Sequence, residues 1–255
     1  MSDLTDRMAF EARFARELSK LTSKQRQEFR DKLGTPPDYS RITPDDWSRW
    51  ETERRNRLLL FLLLAGLDSA ETHAAEVEAE HPEAGDLKTE ARKHARDWAI
   101  NRSAVLASEQ VRKARERLDE LANQWRQMRE VPPELVDQDL VDTFAPRFDA
   151  TTAATETTAG NSAGINGALN AARDAGVPMV LRWFTRADDR VCPICGPLHR
   201  KIVDLWELVV SNSPSSGRAA ALASIRENGG PPAHPNCRCH AELVPLRAPI
   251  GALTP

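Results

Sequence analysis

A formal charge of −3 on 255 residues, 29% of them charged and 40% apolar, describes a globular chain without the basic field that coating nucleic acid would need. That length holds one large or two ordinary domains. The polar, acidic start Met1-Ser2-Asp3-Leu4-Thr5-Asp6 does not read as a signal peptide, so disulfide pairing is not expected.

Glycine and proline placement divides the sequence. Gly34, Gly66 and Gly85 stand alone before position 160, and the other glycines follow. The first half is therefore built for long helices and the second for turns. A first helix is predicted over about Leu4 to Leu33, with Phe10, Phe14, Leu18 and Leu21 as its apolar stripe and Gly34-Thr35-Pro36-Pro37 as its stop. Thr43-Pro44-Asp45-Asp46 reads as the next start: a capping hydroxyl, proline in the first turn, and acids favoured by the dipole. That helix carries Trp47, Trp50 and the apolar run Leu58 to Leu67, and ends before His81-Pro82. Ten residues fall short of the roughly 20 a helix needs to cross a bilayer, so the run reads as a buried core helix of a soluble protein.

A third helix is predicted over about Asp86 to Arg129. Ala104, Ala107, Val111, Ala114, Leu118, Leu121, Trp125 and Met128 alternate steps of three and four, a seam expected to pack inside a helical hairpin or bundle. Arg112, Lys113, Arg115 and Arg117 alternate with acids and read as a solvated face. Val131-Pro132-Pro133 breaks the pattern and sets the expected boundary between a helical domain, 1–130, and a second domain, 131–255.

A short helix over about Glu134 to Phe144 opens the second domain. The Thr/Ala-rich stretch from Thr151, with Gly160, Gly164 and Gly167, has a linker's composition, yet Ile165, Leu169 and Ala172 keep helical spacing. We read it as an ordered helix packed tightly through its small residues. Val177 to Thr185 is β-branched and aromatic, hence a strand, and Lys201-Ile202-Val203 and Ala241 to Val244 are two further short strands. Ala219 to Glu227 is a helix ended by Asn228-Gly229-Gly230. The fold class is α+β, mainly α, with a small sheet clipped by a metal.

All four cysteines lie in two segments, Cys192-Pro193-Ile194-Cys195 and His234-Pro235-Asn236-Cys237-Arg238-Cys239. Two thiols at C-x-x-C spacing grip one ion from a single turn, and His234, Cys237 and Cys239 bring the donor count above the four that tetrahedral zinc takes. A disulfide pair and a redox C-x-x-C are the alternatives. The first is disfavoured in a reducing cytosol, and the second usually opens a helix after a strand, which Gly196-Pro197 does not favour. The span from 196 to 236 between the halves is longer than in ordinary zinc fingers, so the ion would staple remote segments. Its binding would then become folding energy, on the order of 10–16 kcal/mol in zinc-finger peptides. Cys192, Cys195 and Cys237 are the firmest ligands, and the fourth is Cys239 or His234.

Trp183, Thr185, Asp188, Arg190, Val191, Cys192 and Cys195 form one ordered set, followed by Pro231, Pro232, His234, Pro235, Cys237, Arg238 and Cys239; Thr155, Glu156 and Asn161 lie upstream. This set resembles the pattern of the phage Mu F-like minor head proteins, also called head morphogenesis proteins, over residues 133–246. Where such proteins often have glycine after the C-x-x-C pair, this chain has Arg200. The resemblance implies a minor capsid protein of a tailed phage, associated with the portal vertex and acting in head assembly and genome packaging or delivery. Its implied partners are the portal protein, the major capsid or scaffold protein, and phage DNA, with no membrane during assembly. Its implied location is the head interior or portal vertex, after assembly in the host cytoplasm.

Too many donors for one ion leave no open vertex for water, which favours a structural site and no enzyme activity. A zinc-supported nuclease would instead use His234 or His240 to activate water, with Glu242 assisting. Arg182, Arg186, Arg190, Arg200, Lys201 and Arg238 surround the cysteines and are candidate DNA contacts, with pairing to Asp188, Asp189 and Asp204 as the simpler expectation.

Overall fold

The computed structural model describes residues 4–186 and 191–246. In order they form α1 (Leu4–Leu33), α2 (Pro44–Glu80), α3 (Leu87–Arg126), α4 (Pro133–Thr143), α5 (Pro146–Asp174), β1 (Met179–Phe184), α6 (Val203–Ser211), α7 (Arg218–Asn228) and β2 (His240–Pro245). The chain is mainly helical, with one small antiparallel sheet. Two compact units are present, Asp3–Phe61 with Ile100–Ala153, and Leu62–Ala99 with Ala154–Pro255. The division expected at 130/131 falls inside the first of these.

That first unit is built on an aromatic cluster. Phe29 lies 5.9 Å from Trp47, 5.7 Å from Trp50 and 6.1 Å from Phe144, ring centre to ring centre. Leu118, Leu121 and Trp125 join this core, so the large end of the α3 seam packs internally. Met128 lies beyond the end of α3 and is exposed. Phe14 stacks on Phe61 at 4.4 Å. The start of α2 is a reciprocal cap: the Thr43 N–H and hydroxyl donate to Asp46 Oδ2 at 3.0 and 2.9 Å, and the Asp46 N–H donates back to Thr43 Oγ1 at 3.3 Å.

The leucine run of α2 is only half buried. Leu58, Phe61, Leu62 and Ala65 are inside, while Leu60 and Leu64 are exposed. By length and composition alone α2 is apolar enough to cross a membrane, with 44% of its most apolar window buried in the protein. Counting only the ten-residue run understated this stretch, because the flanking alanines extend it.

Helix α5 is a helix throughout, and in its part within the second unit Ile165, Leu169 and Ala172 are buried as their spacing requires. Its glycines meet the neighbouring helices without side chains between them. A Cβ on Gly160 would lie 2.9 Å from Ala65 Cβ, one on Gly164 2.7 Å from the Ala70 nitrogen, and one on Gly167 2.7 Å from the Ala91 oxygen. The Thr/Ala/Gly composition therefore encodes close packing. β1 pairs with β2 antiparallel, from Met179 opposite Pro245 to Phe184 opposite His240.

The third expected strand does not form. Ile202 makes a single bridge to Arg182, and Val203 already begins α6. That helix was missed because nine residues rich in valine carry little helical signal; burial of Trp206 and Val210, four apart, holds it. Trp206 packs edge-on to Trp183 at 5.1 Å, and its indole N–H donates to the Lys201 oxygen at 2.8 Å.

Candidate metal centre

The Cys192–Cys195 turn closes on itself. The Cys195 N–H donates to Cys192 Sγ at 3.3 Å and the Gly196 N–H to the Cys192 carbonyl at 3.0 Å. Pro197 then sits in a 3-10 turn, Gly196–Leu198, that carries the chain away. Beyond it Arg200 takes φ 63, the left-handed conformation for which glycine is suited. The Arg200 N–H donates to the Trp183 carbonyl at 2.7 Å, tying this turn to β1.

The second segment is also a turn. The Cys237 N–H donates to the His234 carbonyl at 3.1 Å, with Pro235 second and Asn236 third at φ 59. Proline followed by a left-handed residue suits a type II turn. Helix α5 anchors it: Thr155 Oγ1 accepts from the Asn236 N–H at 2.9 Å, and the Thr158 hydroxyl donates to the Cys237 carbonyl at 2.8 Å. Sequence reading singled out Thr155 and Glu156 but passed over Thr158. The three-residue spacing of the two threonines, which puts both on one helix face, was the available signal.

These turns bring together all five expected donors. His234 Nε2 lies 3.1 Å from Cys192 Sγ and 3.3 Å from Cys195 Sγ, and Cys195 Sγ lies 3.9 Å from Cys237 Sγ. Cys192, Cys195 and His234 form one group with donor atoms within 4.8 Å of one another; Cys195, Cys237 and Cys239 form another. Cys195 belongs to both. Zn–S bonds of about 2.3 Å in a tetrahedron place sulfurs ~3.8 Å apart, so the observed sulfur spacing fits.

The histidine is in the right form. His234 Nδ1 lies 2.8 Å from the Pro235 carbonyl, which can only accept, so Nδ1 carries the proton and Nε2 turns its lone pair to the thiols. The sulfurs also perturb one another. Hydrogen bonds with Cys237 and Cys239, together with burial, push the Cys195 thiol up. Hydrogen bonds from Cys195 and Cys239 hold Cys237 down against burial. Cys239 is drawn down by Cys195, but Cys237 and burial outweigh that and raise it to about 12. Buried thiols that share protons this way suit a cation able to replace them.

The profile of the family described as phage Mu protein F like protein matches residues 114–242, just over half of the chain. The chain belongs to the phage Mu protein F like family. No curated protein and no solved structure matches it. The family match takes in both cysteine segments and identifies a phage head morphogenesis protein.

Around this Mu F-like centre the other predicted residues separate. Arg182 stands opposite Glu242 in the sheet, and Arg200 and Lys201 lie along the backbone ladder on the other side of β1. Arg186 and Arg238 are engaged in interactions of their own. Asp188, Asp189 and Arg190 lie outside the described residues. His240 Nε2 is 3.2 Å from Glu242 Oε1, and both side chains are half exposed. His199, not singled out from the sequence, accepts at Nδ1 from the Thr185 N–H at 3.2 Å. That contact gives the threonine of the Trp183-x-Thr185 pattern a positioning role at the end of β1.

Proposed function

We propose that this chain is a minor head protein of a tailed phage that docks at the portal vertex and acts in head assembly and genome packaging or delivery, with a structural zinc ion held by its two cysteine turns. The observation that carries this is the convergence of Cys192, Cys195, His234, Cys237 and Cys239 around Cys195, within the part of the chain that matches the family. Four of these donors hold the ion, Cys195 among them, and the remaining one supports from outside.

The role is architectural. Five donors exceed the four vertices of zinc, and catalytic zinc keeps one vertex for water. Of the two histidines a nuclease could use, His234 lies among the thiols, and His240 lies 3.2 Å from Glu242 with both side chains half exposed. The partners are the portal protein and the major capsid or scaffold protein, met in the host cytoplasm before the protein is carried in the virion.

Elemental analysis of purified protein tests the metal, with about one zinc per chain expected. Co-purification with the cognate portal protein, and location of the chain in intact heads by electron microscopy, tests the docking. Protein that is metal-free when prepared under reducing conditions with zinc, or absent from the vertex, overturns the corresponding half of the proposal. Direct DNA contact through Arg182, Arg200 and Lys201 is the second reading, supported by their placement along one ladder. It requires a salt-sensitive shift of random duplex DNA.

A further inference from the structure

Trp183 lies in the core of the second unit and is fully buried. Its backbone is held from both sides of β1. The N–H donates to the Lys201 carbonyl at 2.9 Å, and the carbonyl accepts from the Arg200 N–H at 2.7 Å. Across the sheet it stands opposite Ala241, two residues beyond Cys239. Its ring packs edge-on to Trp206, but the two indoles use their N–H groups differently. That of Trp206 donates to the Lys201 carbonyl, whereas that of Trp183 is buried and no oxygen or nitrogen among the described residues accepts it.

An indole N–H can only donate, and a buried donor without an acceptor is costly, so what it faces matters. It faces the Cys239 sulfur. Hydrogen bonding with Cys195, and then with the Trp183 indole, draws that thiol down against Cys237 and burial. A neutral thiol is a weak acceptor, while a thiolate is a strong one. In so buried a place Cys239 becomes a lasting thiolate when a cation takes the place of its proton. The N–H then has its acceptor, and part of the negative charge that several thiolates bring to one ion is offset.

We propose that Cys239 is one of the four ligands and that Trp183 is its positioning residue, donating the indole N–H to the bound sulfur. This rests on the zinc reading above and adds to it which sulfur is bound and what steadies it. The tryptophan of the Trp183-x-Thr185 pattern thereby has a chemical task besides filling the core. Its fixed backbone and its packing on Trp206 keep the N–H aimed while the ion is absent, so the support is in place before loading.

The test is NMR of the full chain under reducing conditions, loaded with a magnetically active cadmium isotope and carrying labelled indole nitrogens. The Trp183 signal is the one missing when Trp183 is replaced by benzothienylalanine, which keeps the size of the ring and lacks the N–H. That N–H should shift on loading and show scalar coupling to cadmium through the sulfur. Cys239→Ser should lose the coupling, whether or not cadmium stays. Trp206→Phe, which changes the same aromatic pair but another N–H, should keep it. The benzothienylalanine variant should bind zinc about tenfold to a hundredfold more weakly in competition with a chelator, with circular dichroism unchanged. An uncoupled Trp183 N–H in the cadmium-loaded chain, coupling that survives Cys239→Ser, or full zinc affinity without the N–H overturns this inference and leaves the zinc reading standing. A chain that takes up neither cadmium nor zinc overturns both.

Discussion

The Thr158 hydroxyl donates to the Cys237 carbonyl across 79 positions of sequence, so a helix with no metal ligand of its own holds the turn that carries one. Replacing Thr158 by valine keeps the shape and leaves a buried carbonyl unpaired, which should cost about 1–3 kcal/mol. Metal content should stay near that of the parent, while zinc is released faster to a chelator. Unfolding in urea and a chelator-release time course measure the two effects. Unchanged release would mean that the turn holds itself.

Removing a ligand should act differently from removing its support. Cys192→Ser and Cys195→Ser should both lower zinc content, with the Cys195 change the more severe because that sulfur belongs to both donor groups. His234→Ala should retain part of the zinc, since four sulfurs remain. Elemental analysis of the three variants side by side gives the order, and full zinc in Cys195→Ser would remove that residue from the centre.

Gly164→Ala sets two effects against each other. Helix propensity alone favours alanine by up to about 1 kcal/mol. The new methyl would meet the Ala70 nitrogen at 2.7 Å, and overpacking of this kind costs about 1–3 kcal/mol. Packing should win, and thermal unfolding should show a lower midpoint. A raised midpoint would show that α5 can move away at little cost.

Acid should weaken the first turn of α2. Burial raises the Asp46 carboxyl, but the Lys32 ammonium at 2.5 Å and the N–H and hydroxyl of Thr43 more than reverse this, holding it at about 2 against an ordinary 3.8. A depressed folded value means that the contribution is complete above about pH 4 and is lost as pH falls towards 2. We expect on the order of 1 kcal/mol, because the half-exposed lysine is screened. Urea unfolding at pH 5, 4 and 3 should show a fall that Asp46→Asn lacks.

Much of this was legible in the sequence because the relevant signals are local. Helix α1 matches its predicted span because Gly34 takes φ 70 where the stripe ends. The cap at Thr43 was readable from four consecutive residues. The donor set was readable because thiols are rare and their spacing is chemical. What was not legible depends on distant partners. Whether Ile202 extends a strand or precedes a helix is decided by where Trp206 finds Trp183, and the anchor at Thr158 exists only once Cys237 arrives. The grouping into compact units was hidden for the same reason, since each unit joins stretches far apart in the chain.

His234 donates its Nδ1 proton to the carbonyl of its own neighbour, Pro235, inside the turn that the Cys237 N–H closes on the His234 carbonyl. The imidazole thus meets the sulfurs with its tautomer already chosen. Loading therefore needs no shift of the ring proton, and thiols that are still protonated must release theirs. Counted calorimetrically in buffers of different ionisation heat, that release reads how many protonated thiols bind; Cys237, already held down, adds little to it.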